Sequence, residues 1–246
     1  MELDSVAERR ALARARYDPE SVRTLFDDMA STYGRVNLIS SFGFTARWRH
    51  QAVAGLPLGA AGCVLDLMSG TGELWRSLAA ELPASARVVG VDISHEMARR
   101  THREWHFPVE VCVADALAWD AHDEFADIVV SSFGLKTFDH EQQRRLAHTV
   151  ARLLKPGGTC SFVEISVPPF PPLRAAFMFY LNWLIPLIGR ALLGNPDCYR
   201  MLGVYTQAFG NATHFAACLK DAGLEVVLVS YFFGCATGVR GTKRAK

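Results

Sequence analysis

The spacing of apolar positions changes period along this chain. Val22, Leu25, Phe26, Met29 and Tyr33 recur every three or four residues, which predicts one apolar helical face, with Pro19 just inside the helix start. The whole stretch to about residue 55 reads as helices, including a basic run from Ala7 to Arg16. After it, short apolar runs alternate with helical patterns. CVLDLM is followed by ELWRSLAAEL, RVVGVDI by SHEMARRTHREW, and FADIVVSSFG by EQQRRLAHTVARLL, with VEVCVADA and GTCSFVEIS as further strands. This rhythm predicts a βαβ series, an α/β fold with a doubly wound, largely parallel sheet. LEVVLVSYFF and CATGVRG predict a closing hairpin.

Residues 167–211 break the pattern. They are apolar and proline-rich, and the run from Ala175 to Ile188 holds Asn182 and Pro186 and is too short to span a bilayer. A buried helix pair is one reading. A lid over a hydrophobic ligand is the favoured one, because insertions between regular α/β elements tend to build sites. Such a lid also suits a second copy of the chain, in a homodimer, or a membrane surface met peripherally.

Composition narrows the class. With 246 residues there is room for one large α/β domain, divided by pattern into a helical cap (1–55), a core (56–166), the insertion (167–211) and a closing helix and hairpin (212–246). The 26 basic residues nearly balance 25 acidic ones, so no nucleic-acid footprint is expected. The six cysteines form no CxxC pair and read as reduced core thiols in a cytoplasmic protein, and the N-terminus lacks the apolar core of a signal peptide.

The candidate site lies where strands end. After the first strand, Ser69-Gly70-Thr71-Gly72-Glu73 forms a glycine turn that lets backbone approach a ligand closely. The second strand ends in Asp92, placed to accept from both hydroxyls of a ribose, and the third in Asp115. These three turns should converge on one crevice. The third glycine of a dinucleotide fingerprint and the Walker lysine are both absent.

The order of motifs resembles class I S-adenosylmethionine-dependent methyltransferases, and specifically the UbiE/Coq5 family. The residues that carry the resemblance are Phe26 to Tyr33, Asn37, Ser40 to Gly43, Trp48-Arg49, DLMSGTGE, GVDIS, ADA, SSFG, LLKPGG and FFGCATGVRGTK. The resemblance implies a seven-stranded sheet, the last strand antiparallel, and ring-carbon methylation of a quinol. S-adenosylmethionine would be the cofactor and S-adenosylhomocysteine its product. Asp66, Ser69, Gly70 and Gly72 would hold the methionine end of the cofactor and Asp92 the ribose; Met97 would pack near the adenine, and Ile93 would also contact the cofactor. Asp115 and Ala116 would meet its edge, with Ser132 and Phe133 lining the pocket. Tyr33 would close over the sulfonium, and Arg49 would shape the entrance for the acceptor.

Two departures stand out: Gly34 where the family has aspartate, and Lys136-Thr137 where it has arginine and asparagine. Lysine keeps the charge but not the planar fork. Lys136 is the candidate for stabilising a developing phenolate, weighed against an ordinary surface lysine, and Tyr199 and Tyr205 in the insertion are candidate contacts to a hydrophobic aromatic acceptor. His50 and His214 are weaker candidates for a general base. His102 and His106, four apart on a predicted basic helix, do not suffice for a metal site. The departures keep two other readings open: an N-, O- or C-methyltransferase of natural-product biosynthesis, and a cofactor-binding protein or cyclase without methyl transfer.

Overall fold

A computed structural model describes residues 15–102, 104–193 and 196–245. The basic run at Ala7 to Arg16 lies almost wholly outside them. Five parallel strands form the centre: β1 (Cys63–Leu67), β2 (Arg87–Asp92), β3 (Val109–Val113), β4 (Ala126–Ser132) and β5 (Leu154–Ile165). The hairpin β6 (Leu224–Tyr231) and β7 (Ala236–Lys243) adds the other edge, in the order β3-β2-β1-β4-β5-β7-β6. β7 runs antiparallel to both neighbours. The order reverses between β1 and β4, so the carboxyl ends of these strands frame the crevice where α/β sheets bind ligands.

Every residue of β1 is buried. Continuous apolar runs of this kind suit a strand covered on both faces. On one face Val53 of α3 (Phe44–Val53) and Trp75 and Leu78 of α4 (Trp75–Leu78) pack with Val64, Val88, Ile128 and Val130 of the sheet; α1 (Pro19–Met29) and α2 (Tyr33–Ser40) precede them in the chain, and α5 (His95–Arg99) follows β2. The other face is covered by α6 (His140–Leu153) and α10 (Thr213–Asp221), whose Leu146, Val150, Phe215 and Leu219 join Phe162 in the core. Asp139 starts α6 with a capping box, accepting from the Gln142 amide while the Gln142 side chain accepts from its own. Cys63, Cys160 and Cys218 are buried in this core and Cys112 packs against it; these four and Cys235 are free thiols.

Several predicted helices are shorter than their patterns. The glycine turn delays α4 to Trp75, and turns follow it from Leu78 on. α5 stops at Arg99, where the Thr101 hydroxyl bonds the Met97 and Gly70 carbonyls and competes with further helix. His102 and His106 therefore do not share a helix face: His106 bonds the Leu82 carbonyl and His102 stands edge-on to Trp105. The apolar face of residues 22–33 is also divided, because the Thr32 hydroxyl bonds the Met29 carbonyl and Tyr33 begins a new helix.

The insertion forms α7 (Pro171–Phe179), a wide π turn (Tyr180–Leu184), α8 (Ile185–Leu193) and α9 (Pro196–Phe209). Pro186 has no N–H to offer the Asn182 carbonyl, which accounts for the loosened turn before it. Leu181 and Ile185 pack inward with Val36 of α2 and Tyr199 of α9.

Trp75 is wholly buried beneath the glycine turn, and its indole N–H donates to Asp66 at 2.8 Å. A Cβ on Gly90 would lie 2.7 Å from the Trp75 ring and 2.9 Å from the Ser69 hydroxyl. Gly90→Ala should therefore cost about 1–3 kcal/mol of stability by overpacking, read by urea unfolding; an unchanged midpoint would contradict this packing.

Candidate functional site

Two adjoining cavities lie at the carboxyl ends of the strands. The first is bordered by the turns after β1, β2, β3 and β4 and by α1. It holds about 700 Å³ of empty space, counted out to its mouth. Gly70, Asp92, Ile93, Met97, Asp115, Ala116, Ser132, Phe133 and Tyr33 all line it. The glycine turn and the two aspartates converge on it.

The backbone explains how the edges face inward. Gly70 stands at φ +56°, and nothing lies within 4 Å of where its Cβ would be. That left-handed geometry aims the turn at open space. Asp92 accepts from the Gly70 and Ser94 amides at 2.7 and 2.8 Å. Ser94 caps α5 through the Met97 amide and donates its hydroxyl to Asp27 of α1, so the cap helix is tied to the edge of this cavity. Burial pushes the Asp92 carboxyl up to about 6 against these bonds.

Asp66, Ser69 and Gly72 stand behind the lining rather than in it. Asp66 is held by Trp75 through one oxygen, while its other oxygen and the Ser69 hydroxyl are buried without a partner. Burial drives the Asp66 carboxyl up to about 8, the Trp75 bond partly opposing it. Gly72, at φ +76°, packs on the Trp75 ring. An unpartnered buried carboxylate oxygen, an open glycine turn and a ribose-height aspartate fit the ammonium, backbone-hugging chain and hydroxyls of S-adenosylmethionine.

The second cavity, about 1410 Å³ to its mouth, is far more apolar. α1, α2 and α3 line it with Phe26, Met29, Asn37 and Trp48, and the insertion with Leu173, Phe177, Tyr180 and Leu181. Tyr199 and Tyr205 line it too. Tyr199 meets the Thr32 hydroxyl at 3.1 Å, and Tyr205 donates to the Arg16 carbonyl at 2.6 Å. Phe26, Tyr33, Phe133 and Thr137 border both cavities. Burial raises the Tyr33 phenol, with the nearby Glu73 charge acting in the same direction. Phe133 holds φ +64°, uncommon for a bulky residue, at the junction.

Lys136 is not a surface lysine. It is 6% exposed, lines the apolar cavity, and donates to Glu164 at 3.0 Å and to the Phe133 carbonyl at close range. Glu164, fully buried at the end of β5, also accepts from the Lys136 and Ile165 amides. One carboxylate thus clamps both backbone and side chain of the turn after β4.

Arg49 borders neither cavity, contrary to its predicted place at the entrance. Its guanidinium is buried, bonded to Glu73 and to the Ser132 hydroxyl at 3.2 Å, and stacked 4.9 Å from the Phe133 ring centre. It braces the wall from behind. Glu73 in turn fills the space beside Gly34, its Oε1 lying 2.9 Å from where a Cβ would stand. A side chain at position 34 would meet this carboxylate. His50 is exposed on α3, and His214 stacks on His140 at 4.1 Å, so neither borders the two cavities.

Sequence reasoning missed Tyr17, Val22, Met68 and Gln142 in the first cavity and most of the second. The face Leu25–Phe26–Met29–Tyr33 was the available signal, since its apolar side turns to ligand space as well as to core.

The model of the ubiE/COQ5 methyltransferase family matches residues 14–243. A demethylmenaquinone methyltransferase of Lactiplantibacillus plantarum is 32% identical over 232 residues, covering 92% of this chain and 97% of the relative. One from Thermus thermophilus is 32% identical over 86% of this chain and 96% of its own. Among solved structures, the magnesium protoporphyrin IX methyltransferase of Synechocystis with bound S-adenosylhomocysteine shares the fold at TM-score 0.60 and 16% identity, covering 92% of this chain and 99% of that one. This chain belongs to the ubiE/COQ5 methyltransferase family.

Proposed function

We propose that the protein transfers a methyl group from S-adenosylmethionine to a ring carbon of an apolar, prenylated quinol. The observation that carries this reading is the wall of Phe26, Tyr33, Phe133 and Thr137 shared by a polar-edged cleft and a larger apolar cavity. It would let a sulfonium methyl on one side meet an aromatic ring on the other. The two relatives above are named for demethylmenaquinone.

The cofactor, when bound, supplies an electrophilic methyl on a sulfonium. The chain's own residues do the rest. Asp92 would accept from the ribose hydroxyls, Asp66 would act on the ammonium from behind the lining, and Met97, Ile93, Asp115 and Ala116 would flank the base. Tyr33, Phe133 and Phe26 exclude water and hold the ring in line, and such positioning supplies much of the rate. Lys136 stabilises the phenolate that forms as the ring hydroxyl gives up its proton to water; attack of the ortho carbon on the methyl then drains that charge, the sulfur leaves as a neutral thioether, and loss of the ring C–H proton restores the aromatic ring. The pairing of Lys136 with Glu164 fixes where the lysine ammonium points. Tyr199 and Tyr205 bound the far side of the acceptor.

Tyr33→Ala should lower kcat by about 10²-fold through lost alignment, with the acceptor KM moving far less; a change confined to KM would remove Tyr33 from the transfer step. A panel of reduced acceptors tests the substrate class. Prenylated demethylquinols should show kcat/KM at least about 10²-fold above the same rings without tails, since each buried methylene adds to binding. Equal values would point to a small natural-product acceptor instead.

A further inference from the structure

Helix α1 is a partition between the two cavities. Pro19, Val22 and Phe26 border the polar-edged cleft, and Leu25, Phe26 and Met29 the apolar one. These are two adjacent stripes of one helix. Both ends of the partition are held. Just before its start, the Gln142 side chain of α6 donates to the Tyr17 carbonyl at 2.9 Å, and the Tyr205 hydroxyl of α9 donates to the Arg16 carbonyl. At its end the Thr32 hydroxyl bonds the Met29 carbonyl. Where α1 sits therefore sets the shape of both cavities at once.

Asp27 follows Phe26 and lines neither cavity. Its Oδ1 accepts from the Ser94 hydroxyl at 2.6 Å and from the Glu96 amide at 3.1 Å. Ser94 is wholly buried. Its hydroxyl accepts from the Met97 amide and gives its proton to Asp27, while its own amide donates to Asp92 at 2.8 Å. The other Asp92 oxygen accepts from the Gly70 amide at 2.7 Å. A chain of bonds thus runs from the glycine turn through Asp92, the residue assigned above to the ribose, to Ser94 and the partition. Local helix stability does not account for Asp27. A carboxylate in the last turn opposes the helix dipole, and α1 has its own N-terminal cap in Asp18. The bonds to Ser94 and Glu96, 67 and 69 residues away, do account for it.

We propose that Asp27 is a positioning residue for methyl transfer: it ties the partition to the ribose-side turn, so that a cofactor held on Asp92 seats α1 and shapes the acceptor cavity with it. The acceptor's identity rests on the reading above; the tie does not. Two ligands that favour the same seating of one element aid each other by the same factor, because coupling is reciprocal.

The test uses the full chain, S-adenosylhomocysteine and a reduced, short-tailed demethylmenaquinol, a pair with no methyl to transfer. Each ligand should tighten the other about tenfold, and Asp27→Ala should bring that factor to within about twofold of unity. Asp27→Asn keeps an oxygen that can accept both bonds and should retain most of the coupling. A residue that only stabilises the fold would lower the unfolding midpoint in Asp27→Ala and leave the factor unchanged. Wild-type coupling in Asp27→Ala, no coupling in the wild-type chain when both ligands bind, or loss of coupling in Asp27→Asn would each overturn the proposal. Should no quinol bind, the acceptor reading falls and amide exchange decides Asp27. S-adenosylhomocysteine should slow exchange at Leu25 and Met29, on the acceptor side of α1, by about tenfold or more in the wild-type chain and in Asp27→Asn but not in Asp27→Ala. Equal slowing in all three would overturn the proposal.

Discussion

Lys136→Ala should lower turnover by roughly 10²–10³-fold, the scale of losing one preorganised group at developing charge, with cofactor affinity nearly unchanged. Lys136 lines the apolar cavity and not the polar cleft, so its loss falls on the acceptor side. The same change strands Glu164, which is fully buried. Breaking such a pair costs about 3–5 kcal/mol, and the variant should be markedly less stable. Lys136→Met with Glu164→Gln separates the two effects. Removing both charges should restore most stability and leave turnover low. Recovery of turnover in the double variant, or full activity in Lys136→Ala, would make the lysine structural only.

The second large effect is a proton released on cofactor binding. Burial holds the free protein's Asp66 carboxyl up to about 8, so at pH 7 it is mostly neutral. An ammonium bound in the cleft in front of it favours the carboxylate. Binding at pH 7 should then release part or most of one proton, and affinity should rise between pH 6 and 8. Calorimetry in buffers of different ionisation enthalpy reads this directly. Asp66→Asn should abolish the release and weaken binding by about tenfold or more, the value of one charge-assisted bond. The sign for stability runs the other way. For a carboxyl raised in the folded state, its contribution is present below about 4 and is lost as pH rises through 6 for Asp92 and 8 for Asp66. Proton uptake on binding, or none, would remove Asp66 from the ammonium.

The sheet and the polar-edged cleft were legible because their signals are local. A buried strand, a glycine turn and an acid at a strand end are consecutive residues, and strand alternation brings the ends together without further information. Nine predicted residues border that cleft. What stayed hidden is set by contacts distant in sequence. Arg49 could be placed behind the wall only through Glu73 and Ser132, which lie 24 and 83 residues away. The burial of Lys136 depends on Glu164, 28 residues on. The crowding of Gly34 by Glu73 joins residues 39 apart in sequence, so it could not be read locally. Helix ends after Leu78 and Arg99 were overrun for a different reason: apolar spacing continued while hydroxyl bonds and turns had already ended the helix.

The most direct test is a single incubation of the purified chain with methyl-labelled S-adenosylmethionine and a reduced, short-tailed demethylmenaquinol, with the product's label located by NMR. The account predicts one labelled methyl on a ring carbon ortho to a hydroxyl, together with S-adenosylhomocysteine in equal amount. Label on oxygen, or no labelled quinol while cofactor binding is confirmed in the same sample, would contradict it.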